Sequence, residues 1–125
     1  MVEKGNQTKI MVVDDTPQTL EILRRCLTHE GYMVKTIAQG REALRVLAEE
    51  NFDLVISDII MPGVTGYEIA ASFLKGRSHR RFILMSGSEL SIAGTLKTQC
   101  QSLEFLAKPF THSELLSSVE RALAG

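Results

Sequence analysis

Short apolar runs alternate with stretches of helical periodicity along the whole chain. The apolar runs are KIMVVDD (Lys9 to Asp15), YMVKTIA (Tyr32 to Ala38), FDLVISDI, RFILMSG (Arg81 to Gly87) and LEFLAKP. Each run has the length of a β-strand, and the residues after it carry apolar side chains at the spacing of an amphipathic helix. This alternation predicts parallel strands joined by crossover helices rather than hairpins.

The helical stretches predict five helices. They are a segment with Leu20, Leu23 and Leu27 that ends at Gly31, REALRVLAEE, GYEIAASFLKG up to Gly76, a segment between Glu89 and Gln101, and a last helix that Thr111 or Ser113 caps. The fourth is the weakest of these predictions because it contains Gly94. Five such units with right-handed crossovers predict an α/β fold, a flavodoxin-like (βα)5 doubly wound sheet with strand order 2-1-3-4-5 flanked by five helices. The nearly all-apolar third run predicts a central strand, and the partly alternating second run predicts an edge strand.

The composition describes one globular domain without a strong net charge. The 125 residues are 44% hydrophobic and 23% charged, which suits a single core. Because 14 basic residues stand against 15 acidic ones, the overall charge gives no sign of binding to nucleic acid or to an anionic membrane. The first residues lack the apolar region of a signal peptide, and no apolar run approaches the roughly 18 residues of a membrane span. We therefore expect a cytoplasmic protein, with a polar extension at residues 1–8 and one domain at residues 9–125.

Polar side chains stand at the carboxyl ends of four of the five predicted strands. Asp14 and Asp15 end the first strand, Asp58 the third, Ser86 the fourth and Lys108 the fifth. In the predicted order, strands 1 and 3 are neighbours, so the three carboxylates should meet at one edge of the sheet. Open α/β sheets bind their ligands at this edge.

Three carboxylates so close together repel one another unless a cation lies between them. Carboxylate, carbonyl and water oxygens are the ligands of Mg²⁺, which commonly binds phosphate oxygens as well. The Lys108 ammonium and the Ser86 hydroxyl can hold an oxyanion beside the metal, and a carboxylate such as Asp58 can be a covalent nucleophile toward phosphorus. Taken singly, Asp14 and Asp15 can cap a helix, Ser86 can be a turn residue and Lys108 a surface residue. Their joint occurrence at matching strand ends favours phosphoryl chemistry.

Four short motifs in a fixed order resemble those of the response-regulator receiver domain of two-component signalling. They are VVDD at 12–15, SDIIMPG at 57–63 with Gly66 following, MSG at 85–87 and FLAKPF at 105–110, and the resemblance runs from about Lys9 to Leu123. It implies that Asp58 is the phosphoacceptor, which takes a phosphoryl group from the phosphohistidine of a histidine kinase or a histidine phosphotransfer protein in a Mg²⁺-dependent step. It also implies a regulatory domain rather than an enzyme, although such a domain catalyses its own phosphorylation and dephosphorylation.

The resemblance implies the ligands of the metal. Asp15 would bind Mg²⁺ directly and Asp14 mostly through water, while Asp58 and the backbone carbonyl of Ile60 would supply further ligands. The branched side chain of Ile60, two residues after Asp58, should also hinder the water that hydrolyses the phosphorylated form.

The resemblance further implies a switch and a binding face. Ser86 and Lys108 would hold the phosphoryl oxygens, and Ser86 would move inward when Asp58 is phosphorylated. Phe105, which lacks the hydroxyl of the tyrosine common in the family, would then turn inward by packing alone. This motion would reshape a face made by the fourth helix, the fifth strand and the fifth helix, where a downstream protein or an effector domain would bind. No direct binding to nucleic acid or to a membrane is implied.

Three alternatives have to be weighed against this interpretation. A degenerate receiver acting as a phosphorylation-independent interaction domain is disfavoured because all five polar site residues are present. A phosphatase of the haloacid dehalogenase type also uses an aspartate nucleophile, but here no second aspartate follows Asp58 by two positions. A flavin-binding protein needs a loop that cradles a phosphate after the first strand, whereas DDTPQT begins with two anionic groups.

Overall fold

The computed structural model describes residues 8–75, 80–87 and 103–124. The strands are β1 (Lys9–Val13), β2 (Met33–Ile37), β3 (Leu54–Asp58), β4 (Arg81–Ser86) and β5 (Leu103–Ala107). The helices are α1 (Pro17–His29), α2 (Gly40–Glu49), α3 (Gly66–Leu74) and α4 (His112–Ala124). Among the described residues, no helix has both the length and the apolar character that crossing a membrane requires.

All five strands form one parallel sheet in the order β2-β1-β3-β4-β5. The predicted flavodoxin-like strand order is therefore confirmed, with β3 at the centre and β2 at an edge. Successive side chains of a strand point to opposite faces of the sheet. The apolar run in β1 is continuous because both of its faces are covered, whereas β2, at the edge, is partly exposed along most of its length.

Two hydrophobic clusters, one on each face of the sheet, make up the core. On one face, Met11 and Val13 of β1 pack in a cluster with residues of α2 and α3, including Val46 and Phe73. On the other face, Ile10 and Val12 lie in a cluster with residues of α1 and α4. Helices therefore cover both faces of the sheet and leave its carboxyl edge accessible.

Local side-chain hydrogen bonds explain where two of the helices begin. The Thr65 side chain accepts a hydrogen bond from the Glu68 amide, and Glu68 accepts one from the Thr65 amide, which is a capping box. Thr111 and Glu114 make the same pair of bonds before α4, so Thr111 rather than Ser113 is the cap. At the end of α1, Gly31 has a φ of 96°, as its predicted role as helix terminator requires.

Three of the sequence predictions fall wholly or partly on other parts of the chain. The polar extension predicted at residues 1–8 lies outside the described residues except for residue 8. The helix predicted between Glu89 and Gln101 lies outside the described residues. The predicted end of the third helix at Gly76 does so as well, and α3 is described as far as Leu74.

Candidate functional site

The strand ends deliver three side chains to one place at the carboxyl edge. Asp14 follows β1 directly, Asp58 is the last residue of β3, and Lys108 follows β5 directly. Backbone hydrogen bonds hold these ends in register. The amide after Asp58 donates to the Met85 carbonyl at 3.2 Å, and the Lys108 amide donates to the Ser86 carbonyl at 2.7 Å. The sheet itself therefore sets the spacing of the site.

The carboxylates of Asp14, Asp15 and Asp58 form an acidic cluster. One oxygen from each lies within 4.8 Å of the others. Asp14 is fully buried, Asp58 is mostly buried and Asp15 is exposed, so the cluster opens to solvent on one side. The predicted meeting of the three carboxylates is confirmed, and their hard oxygen atoms fit a small divalent cation such as Mg²⁺.

Lys108 joins two members of this acidic cluster. Its Nζ lies 2.9 Å from Oδ2 of Asp14 and 3.4 Å from Oδ1 of Asp58. The other oxygen of Asp14 accepts a hydrogen bond of 2.8 Å from the Thr16 amide. Thr16 is the N-cap residue of α1, so this bond lies just before the helix and Asp14 is not its cap. The helix-capping alternative does not describe Asp14.

The charge of Lys108 does not fully offset the effects that raise the pKa of Asp58. Burial raises the pKa of the Asp58 carboxyl above its ordinary value, the charge of Lys108 lowers it, and the charge of Asp14 raises it again. For Lys108, burial lowers the pKa, but the hydrogen bond to Asp14 and the charges of both aspartates outweigh that effect and raise it. The lysine therefore stays cationic, while the charged form of Asp58 is disfavoured relative to a carboxylate in water.

The backbone just after the phosphoacceptor candidate is closely packed. The Gly66 amide donates a 2.8 Å hydrogen bond to the Ile59 carbonyl. A methyl group at Gly66 would overlap the carbonyl oxygen of Asp58, so only glycine lets α3 begin so near β3. The same carbonyl accepts a 2.8 Å hydrogen bond from the buried Ser57 hydroxyl. Ser57 was not singled out from the sequence, although a serine inside an apolar strand is a signal for such a role.

The remaining predicted residues, Ser86, Phe105 and Ile60, are among the described residues, and their roles stay predictions. Ser86 is fully buried at the end of β4, one residue past Met85, the partner of Asp58 in the strand register. Phe105 is half-buried in β5 and packs against the cluster shared with α2 and α3. The side chain of Ile60 is 62% exposed beside the acidic cluster. The Lys108–Pro109 peptide bond is cis, a feature that was not predicted from the sequence.

Comparisons with known proteins agree with this geometry. The model of the response regulator receiver domain family matches residues 10–120. The transcriptional regulatory protein TcrA of Mycobacterium tuberculosis is 31% identical over 121 residues, which are 93% of this chain and 46% of TcrA. The chain thus spans less than half the length of this curated relative.

Solved structures of similar proteins have the same fold. A response regulator receiver domain protein of Clostridium thermocellum is 29% identical with a TM-score of 0.82, and the match covers 94% of each chain. The response regulator TrrA of Thermotoga maritima, solved in complex with Mg²⁺ and BeF, is 34% identical with a TM-score of 0.81. That match covers 94% of this chain and all of TrrA. With the family model matching nearly its whole length, this chain belongs to the response regulator receiver domains of two-component signalling.

Proposed function

We propose that Asp58 receives a phosphoryl group from the phosphohistidine of a histidine kinase or a histidine phosphotransfer protein. The observation that carries the proposal is the meeting of three carboxylates with one lysine at the carboxyl edge of the sheet. Among the three, Asp14 is fully buried with its two oxygens bonded to Lys108 and Thr16, Asp15 is exposed, and Asp58 is mostly buried beside Lys108. We assign the nucleophile to Asp58, because both oxygens of Asp14 are already bonded and Asp15 is exposed to water.

The transfer is a displacement at phosphorus. An oxygen of the Asp58 carboxylate forms the new bond to phosphorus, the bond from phosphorus to the imidazole nitrogen breaks, and that nitrogen keeps the electron pair. Because burial raises the pKa of Asp58, its ionised carboxylate is more basic and more nucleophilic than an aspartate in water.

Lys108 supports the transfer by holding its proton at Nζ. The ammonium already contacts oxygens of Asp14 and Asp58, so an oxygen of a phosphoryl group on Asp58 lies within its reach. The raised pKa of Lys108 keeps the group charged throughout. The Ser86 hydroxyl is the second donor that we assign to the phosphoryl oxygens.

Asp14, Asp15, Asp58 and the carbonyl of Ile60 are the groups that would hold Mg²⁺. A bound Mg²⁺ supplies charge neutralisation for the carboxylates and for the transferred group. TrrA, which is similar over its whole length, is described in complex with Mg²⁺ and BeF, and this supports the assignment.

Signal output follows from the change of charge at Asp58. Phosphorylation converts a monoanion into a group with more charge and three acceptor oxygens, which can draw Ser86 inward. Phe105, half-buried on the neighbouring strand, would then repack and alter the face that includes β5 and α4. A downstream protein or an effector domain is the partner that we propose for this face. The domain limits of 9–125 and the cytoplasmic location stay predictions.

Intact mass measurement after incubation with Mg²⁺ and acetyl phosphate tests the proposal. The wild-type protein should gain one phosphoryl group, and Asp58→Asn should gain none. Asp53→Asn is the matched control, because Asp53 precedes the same strand at its opposite end and accepts a hydrogen bond from the Lys9 amide. It should be phosphorylated like the wild type.

The outcomes separate the alternatives. A wild-type protein that stays unmodified by acetyl phosphate and by a histidine kinase would instead be a phosphorylation-independent interaction domain. A phosphoryl adduct that persists in Asp58→Asn would show that another residue is the phosphoacceptor.

A further inference from the structure

The start of α2 touches the loop that follows the phosphoacceptor strand. Gly40 is the first residue of α2 and is buried. A methyl group at its Cα would lie 2.7 Å from Cβ and 2.9 Å from the carbonyl oxygen of Val64. Both distances are shorter than a real Cβ contact, and one of them is to backbone. The backbone of α2 therefore lies directly against the loop at this point.

The backbone conformation of Gly40 does not explain why glycine is present. The described glycines with positive φ are Gly31 and Gly63, so an alanine could adopt the backbone angles of Gly40. Alanine is also the better helix former, by about 1 kcal/mol in a helix interior. The contact with Val64 is what a side chain at position 40 would disrupt.

The loop that Val64 belongs to connects Asp58 with α3. Its residues Ile59, Met61 and Val64 are buried, while Ile60 points outward between them. Gly66 holds the far end of the loop against Asp58 through its hydrogen bond to Ile59. The contact of Val64 with Gly40 adds a second restraint, two residues before Gly66.

We infer that Gly40 is a positioning residue, which sets the place of the loop and with it the Ile60 carbonyl relative to Asp58. This inference rests on the proposed function, in which that carbonyl binds Mg²⁺. An added methyl group must displace either α2 or the loop. Both parts have buried side chains, but the backbone of α2 is also held by its helical hydrogen bonds, while the loop is irregular and exposes Pro62 and Gly63, so we expect the loop to move.

The surroundings give the loop room for this displacement. A cleft of about 360 Å³ borders the contact, and its lining includes Asp15, Gly40, Met61 and Pro62. The cleft joins the start of α2, the loop and the acidic cluster. A shift of the loop in this region therefore alters the distance from its backbone to the metal ligands.

Mg²⁺ titration followed by amide NMR tests the inference, using the wild type, Gly40→Ala and Val46→Ala. Gly40→Ala should bind Mg²⁺ about tenfold more weakly, the loss seen when groups that orient metal ligands are changed. In this variant the Gly66 amide should also exchange with solvent faster, since the displaced loop weakens the hydrogen bond from that amide to the Ile59 carbonyl. Val46→Ala, on the same helix, should lower the melting temperature but leave the Mg²⁺ affinity and Gly66 exchange unchanged.

A second variant reaches the same contact from the loop. Val64→Ala shortens the side chain that meets Gly40 and should weaken Mg²⁺ binding about threefold, an effect of the size seen for contacting neighbours. If Gly40→Ala does not fold, the Mg²⁺ affinity of Val64→Ala tests the inference by itself. An affinity equal to that of the wild type then overturns the inference. The melting temperature of each variant verifies that the titrations are made on folded protein.

Failure of the inference differs from failure of the proposed function. If the wild type binds Mg²⁺ and is phosphorylated while Gly40→Ala binds Mg²⁺ equally tightly, Gly40 does not position the loop. If Gly40→Ala and Val46→Ala weaken binding equally, the role of Gly40 is structural only. If the wild type neither binds Mg²⁺ nor gains the phosphoryl group, the proposed function fails first.

Discussion

Lysine and carboxylate side chains form ion pairs at both ends of the sheet, but in opposite proportions. Near the amino end, Glu50 lies between two lysines, with Oε1 at 3.0 Å from Nζ of Lys9 and Oε2 at 2.7 Å from Nζ of Lys35. Hydrogen bonds from Lys35 and Lys9 lower the pKa of Glu50 below its ordinary value. At the carboxyl end, Lys108 lies between two carboxylates, and burial raises the pKa of Asp58.

The difference separates charges that stabilise the fold from charges that serve a reaction. Two ammonium groups around one partly exposed carboxylate balance its charge, although pairs near the surface contribute little to stability. Several carboxylates around one ammonium leave a surplus of negative charge, partly out of water, that is relieved by a proton or a metal ion. Such a surplus costs stability and is typical of functional sites. Four substitutions test this contrast, from the largest expected effect on stability to the smallest.

Removing Lys108, the cation that contacts Asp14 and Asp58 in the described part of the chain, should have the largest effect. Lys108→Met should lower the free energy of unfolding by about 2 kcal/mol, because buried Asp14 loses its ion-pair partner. The expected cost is less than that of a fully buried pair since Lys108 is 28% exposed. Urea unfolding with and without Mg²⁺ measures it, and Mg²⁺ should restore more stability in this variant than in the wild type. A variant as stable as the wild type without Mg²⁺ would contradict the view that Lys108 offsets the carboxylates.

Neutralising Asp58 should act in the opposite direction. A folded-state pKa raised above the unfolded value means that Asp58 contributes stability below its unfolded pKa and loses it as the pH rises through the folded pKa. Without Mg²⁺, Asp58→Asn should therefore be more stable than the wild type near neutral pH, by less than the change expected for Lys108→Met.

A pH series of urea unfolding curves measures this gain. The difference between Asp58→Asn and the wild type should shrink as the pH falls toward 3.8, the ordinary pKa of the group. Asp53→Asn serves as the control because Asp53 is exposed at the other end of the strand. A wild-type protein that is more stable than Asp58→Asn at neutral pH would show that Lys108 fully compensates the charge.

Glu50→Gln tests the amino end and should have a smaller effect. The pKa of Glu50 is lowered, so its contribution is present above its unfolded pKa, near 4.5, and is lost as the pH falls through the folded value. The substitution should slightly lower stability at neutral pH, and the loss should fade at high salt because the pairs are partly open to solvent. Unfolding curves at low and high salt measure this. Phosphorylation by acetyl phosphate should match the wild type, and a reduced yield would show that the two ends are coupled.

Ile60→Asn should leave stability unchanged but alter the phosphorylated form. The side chain is 62% exposed, and such substitutions usually change stability by less than about 0.5 kcal/mol. An amide in place of the branched aliphatic group should admit water to the phosphoryl group and shorten its lifetime. The decay of the phosphorylated mass over time measures the change. Equal decay rates in the wild type and the variant would show that Ile60 does not hinder the attacking water.

Much of the architecture could be predicted because the pattern of apolar residues in a strand indicates how many of its faces are buried. The nearly all-apolar run that ends near Asp58 predicted a central strand, and the handedness of crossovers then limited the strand orders. The boundaries were less accurate. The predicted second helix began at Arg41, whereas α2 begins at Gly40, because a glycine at a helix start has no apolar side chain to mark it.

The sequence by itself determined which chemical groups stand at the strand ends, since parallel strands bring Asp14, Asp58 and Lys108 to one edge in any sheet of this order. Only the tertiary structure decided how these groups share charge. It joined Lys108 most closely to Asp14, and it set the burial that raises the pKa of Asp58. The contact of Gly40 with Val64 also came from the tertiary structure alone. Distances and burial depend on how separate segments pack, and spacing along one chain does not encode them residue by residue.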